Sequence, residues 1–521
     1  MMIPDHDVSG RMGSIMRQSA ALFGGNIVLI LGGYVFKIFL ARTVGSEGLG
    51  LFALGESLMG FALLLTLWSM DETVFRFIPQ FTALGATGRL QRLLWASLFQ
   101  VLVLGIPIAA LLFFTRHFWA GRVFHNNAFS GALCVFALML PPRALSMLFR
   151  QIARGYKEVN WIVISQSLIA FPCKVAISLI LIAWGWGLSG WLVGEAFSYV
   201  ISAAILGWLA WQLTPAAARP PLREIRHEPP VYAFAGVMIG RNLLSVTTNS
   251  LAPLLLGIYL GVSDVGVYSI ALTLVGIMTM VQSNINSVFA PHIPELYASG
   301  GTTELMEIYY RVTRCNLVAT FPLFVIYLLM AHYVMAIFGG EFARGSMVLV
   351  ILAVGGIIDL GAGPVVSLMN LTGHERSVLL GDVFKIGSTT ATLLLLLPIL
   401  GMVGAAIAWS ITTTVFFLLL YFYAKRFFPI YFYNRATLKL LASGVGFLFI
   451  SWVLLNCLKT YLAPLPLLIA AFILLYVLWG LWVFGGLMDA KDKKFAGEVL
   501  GGVLPDFLKQ RWGLCVTPNK R

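Results

Sequence analysis

Residues Tyr232–Leu260 read YAFAGVMIGRNLLSVTTNSLAPLLLGIYL, a run of 29 residues with one charge, Arg241. About 20 apolar residues suffice to cross the hydrocarbon core of a bilayer, so the run reads as a membrane-spanning helix. Arg241 lies roughly two turns inside it and is followed by Asn242 and Asn249. A charge at that depth costs about 2.5–3.5 kcal/mol on insertion scales, which directs it toward a bundle interior or a wet cavity. The same stretch opens the second half of the chain, and that half repeats the first.

The repeat is carried by glycine spacing. Gly45, Gly50 and Gly60 in VGSEGLGLFALGESLMG match Gly261, Gly266 and Gly276 in LGVSDVGVYSIALTLVG. Downstream, Ile78-Pro79 with Gly85 matches Ile293-Pro294 with Gly300 after a slip of one residue. A weaker echo pairs Gly187-Leu-Ser-Gly190 with Gly401-Met-Val-Gly404. Short glycine patterns recur by chance in apolar sequence, but these keep order and register across two spans. Membrane halves related by a repeat are a transporter plan, with the substrate site near their interface.

Composition bounds the class. Of 521 residues, 59% are hydrophobic and 11% charged, and the mean hydropathy is +0.88. An ordinary soluble domain is about 25% charged. The fold class expected is an all-α polytopic membrane protein. Apolar runs begin near Ala20, Leu49, Leu93, Asn126, Trp161 and Leu188, then near Ala233, Val265, Val312, Ser346, Ser377, Met402, Ala436 and Pro464, about 14 spans in all. They divide into a six-helix lobe (1–213), a Pro-rich cytoplasmic linker (214–231), a pseudo-symmetric six-helix lobe (232–430), two additional helices (431–485) and a basic tail (486–521). Span one is too long for a signal-peptide core and is expected to be retained. The five cysteines show neither metal spacing nor a disulfide framework.

Basic residues orient the chain. With the N-terminus in the cytoplasm, 25 of the 35 Lys and Arg fall in inner segments, five in outer segments and the rest within spans. That asymmetry supports an even span count with both ends cytoplasmic. It also accounts for the net charge of +13 through the anionic inner leaflet, without nucleic acid.

The ionisable residues left within spans are the functional candidates. The cations are Lys37, Arg143, Lys174, Arg241 and Lys385, and the acids Glu56, Glu195, Asp359 and Asp382. Counted from the span ends, Lys37 and Glu56 lie toward the outer side and can snorkel. Arg143, after Pro141-Pro142, lies toward the inner side, within reach of cytoplasmic phosphates. Asp382 and Lys385, three apart, can pair on one helix. Arg241, Lys174 and Asp359 are deepest, facing either a cavity or a buried partner. No phosphate-binding loop and no His pair at metal spacing are present, so neither catalytic nor metal residues are assigned. Outer loops are too short to hold the acceptor and catalytic carboxylates of a membrane glycan polymerase or ligase.

The stretch GGNIVLILGGYVFKIFLARTVGSEGLGLFALGESLMGFALLLTLWSMDETVFRFIPQF resembles the start of bacterial polysaccharide-export flippases of the Wzx type. An arginine ends span one, and a turn with Gly45, Gly48 and Gly50 leads into span two. Arg154-Gly155 before span five and Asn370-Leu-Thr-Gly373 before span eleven resemble the same family's inner loops. The wider multidrug/oligosaccharidyl-lipid/polysaccharide (MOP) superfamily includes MATE-type multidrug antiporters and MurJ-type lipid II flippases. Such proteins have two six-helix lobes and alternating access, and fourteen spans favour the flippase branches.

The resemblance implies a substrate: an oligosaccharide on polyprenyl diphosphate, carried from the cytoplasmic to the outer leaflet of the bacterial inner membrane. A diphosphate cannot cross hydrocarbon bare. Arg241, with Lys37, Lys174 and Asn249, is expected to hold it by charge-assisted hydrogen bonds. Asp359 and Glu56 are the candidates for a coupling proton or sodium ion, and no other cofactor is implied. Partners would be membrane lipids and a polysaccharide polymerase with its co-export machinery. Alternatives are a lipid II flippase, a MATE-like exporter of cations, which would want acids to dominate its cavity, and a non-transporting scaffold.

Overall fold

The computed structural model describes residues 5–214, 229–290, 292–430, 435–458, 464–483 and 485, with side chains from residue 32 onward except at 288, 435, 464 and 465. Most of the linker and the whole basic tail lie outside the described residues. Among the described residues the chain is helical, without strands. The helices are α1 (Asp5–Leu67), α2 (Met70–Ala83), α3 (Thr87–Phe118), α4 (Ala128–Gly155), α5 (Val159–Ile162), α6 (Phe171–Ala183) and α7 (Gly187–Leu213). They continue as α8 (Pro229–Tyr259), α9 (Val262–Phe289), α10 (His292–Ala298), α11 (Thr302–Leu329) and α12 (Ala331–Ala336). The last are α13 (Ser346–Gly361), α14 (Val365–Leu371), α15 (Glu375–Ala424), α16 (Arg435–Leu458) and α17 (Pro464–Trp482).

Ten of the described helical segments are long and apolar enough to cross a membrane. Two of them are broken at a glycine and are long enough for two crossings each. In α1 the break is Gly45 (φ 72°, ψ −176°), and in the 50-residue α15 it is Gly401 (φ 59°, ψ −139°). With the 31-residue α8 and the shorter apolar α17, the architecture accommodates the fourteen spans expected from hydropathy. The molecule is a multi-pass helical membrane protein.

Prolines inside these helices follow membrane rules. Pro141 and Pro142 lie within α4, which runs on through both to Gly155. In a bilayer, neighbouring helices and side chains re-satisfy the backbone groups a proline frees, so it need not end a helix. Ahead of Pro172 the chain opens into a π-helical stretch, Val163–Ala170. A wider turn there accommodates the ring that would clash with a preceding carbonyl.

The glycine repeat has a conformational meaning. Gly45 and Gly261 both have positive φ (72° and 124°) and each ends one span before the next begins. Five residues on, Gly50 and Gly266 make reciprocal close approaches. A Cβ on Gly50 would lie 1.8 Å from the carbonyl oxygen of Val262, and one on Gly266 would lie 1.9 Å from that of Ser46. Ser46 and Val262 are themselves repeat-related, so the crossing is locally two-fold. A 2.6 Å hydrogen bond between the Ser46 and Ser263 hydroxyls seals it. Glycines at such crossings let membrane helices approach backbone to backbone. The weaker echo follows the same logic, with Gly187 and Gly401 at positive φ (49° and 59°).

By contact the chain divides into residues 1–266 and 267–521. In the first unit α4 packs against α1, α2, α3 and α7, and α6 lies on α7. The sequence expects α8 to open the second lobe at 232, whereas by contact it belongs with this first unit, along α1 and α2. Gly257 faces Leu54 and Phe124, Asn242 donates to Ser69 Oγ at 3.1 Å, and the Arg76 guanidinium lies 4.3 Å over the Phe234 ring. In the second unit α13 packs on α11 and α15 over a core that includes Phe289, Tyr309, Leu368 and Phe416. The helices α16 and α17 dock on α11. Trp479 donates to the Val318 carbonyl at 2.9 Å, and its ring stacks on Phe321 at 4.7 Å.

Candidate functional site

The first unit gathers five charged side chains from four helices. Arg143 on α4 donates to both carboxylate oxygens of Glu56 on α1, at 2.6 and 2.9 Å, a bidentate fork. Lys174 on α6 pairs with Glu195 on α7. Tyr199, one turn along α7, hydrogen-bonds Glu195, and its ring lies 5.1 Å beneath the Arg143 guanidinium. Lys37 on α1 stands in the field of Glu56 and Lys174. Counted as ionised, the group holds three cations against two carboxylates.

This corrects the depth read from the sequence. Arg143 does not sit at an inner helix end, because α4 runs through Pro141-Pro142 and leaves Arg143 near its middle. Its bidentate bond to Glu56 puts the two side chains at one level. Taking one partner from this half-buried pair leaves the other charged and unpaired, which is destabilising. Arg143 thus ties α4 to α1, and Lys174 ties α6 to α7.

Arg241 and Asn249 are placed differently. Both are exposed on α8. Asn249 donates its amide to the Ser245 carbonyl of its own helix at 2.9 Å. Among the described residues Arg241 has no ion-pair partner, in contrast to Arg143 and Lys174. The structure thus brings Lys37, Lys174 and Glu56 together and leaves Arg241 and Asn249 on a separate helix.

Asp359 lies in the second unit on α13, four residues before the break at Gly363 (φ 70°). Gln282 on α9 hydrogen-bonds its carboxylate, and Lys385 on α15 is the nearby cation. Lys385 stands in the field of Asp359 as well as of Asp382, the residue with which the sequence pairs it. Its ammonium also lies 5.0 Å over the Phe416 ring. Sequence reasoning missed the residues of α9 that face this aspartate. Their signal is legible in retrospect: Thr279, Gln282, Ser283, Asn286 and Ser287 follow spacings of 3, 1, 3 and 1 along α9. Among the described residues no group of three or more His, Cys, Asp or Glu is placed to hold a metal ion.

The sequence profile of a family described as polysaccharide biosynthesis protein matches residues 82–344, just over half of the 521. The chain belongs to that family. No functionally curated protein matches it. Among solved structures, the chain is similar to the lipid II flippase MurJ in an inward closed conformation, with TM-score 0.68 and 14% identity over 91% of this chain and 99% of that one. It is also similar to an inward-facing multidrug resistance MATE family transporter of the MOP superfamily, with TM-score 0.59 and 15% identity over 79% of this chain and 97% of that one. A MATE protein in a bent conformation gives 0.53 at 15% identity, over 79% and 94%. At these identities the likeness establishes the fold, which is that of MOP-superfamily transporters.

Proposed function

We propose that the protein is a flippase that carries a polyprenyl-diphosphate-linked oligosaccharide from the cytoplasmic to the outer leaflet of a bacterial inner membrane by alternating access. The observation that carries this reading is Arg241. It is an exposed guanidinium twelve residues into the 31-residue α8, the helix that the sequence reads as a span, without an ion-pair partner among the described residues. A charge kept at that depth needs an anion or water to justify it. In the same unit, three cations (Lys37, Arg143 and Lys174) gather with two carboxylates, a balance that favours an anionic over a cationic cargo. An exporter of cationic drugs would call for the opposite balance.

Family membership in polysaccharide biosynthesis supports the glycan. The wider coverage by the MurJ fold than by the MATE folds matches a chain with helices beyond twelve, here α16 and α17. In this reading Arg241 grips the diphosphate with its fork of donors, which suits paired phosphate oxygens. Lys37 adds long-range attraction, and Lys174 and Asn249 lie in reach of the headgroup at other stages of transport. Asp359 and Glu56 are the groups that a proton or sodium ion would engage. The direct test is reconstitution in vesicles loaded on one side with undecaprenyl-diphosphate oligosaccharide. Protein-dependent appearance of the glycan on the opposite leaflet supports the proposal. Export of an organic cation without movement of the glycan lipid would replace it with a multidrug role, and movement of lipid II alone with a peptidoglycan role.

A further inference from the structure

The second unit contains a cavity of ≈ 430 Å³ of whose lining the flippase reading uses Asp359 alone. One wall is the α9 stripe of Thr279, Gln282, Ser283, Asn286 and Ser287. The facing wall is Asp359, Ser367 and the helix break at Gly363-Pro364, and Phe417 adds an aromatic ring. A membrane helix does not carry five hydrogen-bonding side chains on one face unless protein, water or cargo receives them.

Their hydrogen bonds narrow the ligand class. Thr279 donates to the Gly276 carbonyl at 3.0 Å, and Ser287 to the Asn284 carbonyl at 2.7 Å, so both hydroxyl oxygens still accept. Asn286 accepts from Asn316 Nδ2 at 3.0 Å through its own Oδ1 and keeps its amide N–H donors. Gln282 occupies one acceptor position of the Asp359 carboxylate, which has about four. The lining therefore offers donors and acceptors side by side, with one carboxylate. Vicinal sugar hydroxyls, each both donor and acceptor, complement such a lining, and a flat aromatic ring receives the C–H face of a pyranose. Among the described lining residues Asp359 is ionisable and no cation is present, so the lining itself offers an anion no charged partner. A bare metal ion would leave most of the volume empty and the amide N–H groups unmatched; cavities of about 300–1,000 Å³ are those of small organic ligands.

We propose that this cavity is a sugar subsite, taking one or two uncharged pyranose units of the glycan while the diphosphate is held elsewhere. The proposal rests on the flippase reading and extends it to the identity of the headgroup. It assigns glycan selectivity to Ser283, Asn286 and Phe417.

The test compares two probes on purified protein in nanodiscs free of sugar detergents. One is bare undecaprenyl diphosphate, and the other is the undecaprenyl-diphosphate oligosaccharide extracted from cells lacking the transporter. Ser283→Phe fills the cavity, and Phe417→Ala removes the stacking face. Both variants should weaken binding of the oligosaccharide lipid roughly tenfold, the scale of one or two lost hydrogen bonds or contacts. Both should leave the bare lipid unchanged, which also shows that they are folded. Variants that weaken both probes alike, or neither, overturn the subsite while leaving the flippase intact. Wild-type protein that binds neither probe overturns the flippase reading and the subsite with it. A melting temperature raised by sodium in the wild type but not in Ser283→Phe, with oligosaccharide affinity unaltered, would make the cavity an ion site and overturn the proposal.

Discussion

At the scale of single residues, the charges inside the first unit are held by geometry that the sequence only half discloses. Removing Arg143 alone, as Arg143→Met, leaves a half-buried Glu56 without its fork and should lower the melting temperature. The double change Glu56→Gln with Arg143→Met should recover most of that, read as melting temperature in detergent. A double variant no better than the single would mean that the pair is not the stabilising unit. Asp71, just past the first long helix on α2, offers a pH test. Burial raises its carboxyl above the ordinary 3.8, against the opposing pull of Arg150. The folded state then holds the proton more tightly than the unfolded state, so this contribution is present below pH 3.8 and is lost as pH rises through the raised value. Asp71→Asn should therefore gain in melting temperature over wild type as pH rises from 4 to 7. A difference independent of pH would contradict it. Residue identity was legible at this scale: every ionisable group in the charge cluster stood out in the sequence as a charge in an apolar run. What it could not supply was depth, because α4 ignores the proline pair that ends helices in water. Nor could it supply partners, because Glu56 and Arg143 are 87 positions apart.

At the scale of helices, the repeat was read from glycine spacing, and the structure explains why glycine is required. Gly45 and Gly261 turn the chain, while Gly50 and Gly266 let a helix meet a carbonyl where any Cβ would collide. Gly50→Ala or Gly266→Ala should each cost about 1–3 kcal/mol or more through overpacking. Gly276→Ala, with nothing within 4 Å of its added carbon, should be tolerated. Thermal unfolding of the three variants checks the contrast, and equal losses would remove the crossing from the account. The polar stripe on α9 went unread for a physical reason. Hydropathy responds to charges and to average polarity, and five uncharged polar residues diluted among Ile, Met and Val barely move that average. Only a search for helical period among the polar residues finds them.

At the scale of the whole molecule, hydropathy and the basic-residue asymmetry carry the topology. The expected arrangement has both ends in the cytoplasm, so reporter fusions after Leu213 and after position 484 should both read inside. An outside reading at either would change the parity of the span count. The central claim is narrower: the charge that moves with the cargo is recognised by Arg241. Its most direct measurement is the rate at which undecaprenyl-diphosphate oligosaccharide crosses vesicles containing wild type, Arg241→Ala or Arg241→Lys. Loss of a hydrogen-bonded charge partner costs about 2–5 kcal/mol of binding, so Arg241→Ala should transport at least tenfold more slowly at subsaturating substrate while melting like wild type. Lysine, a point charge without the fork, should restore part of the rate. Transport by Arg241→Ala at the wild-type rate would contradict the account.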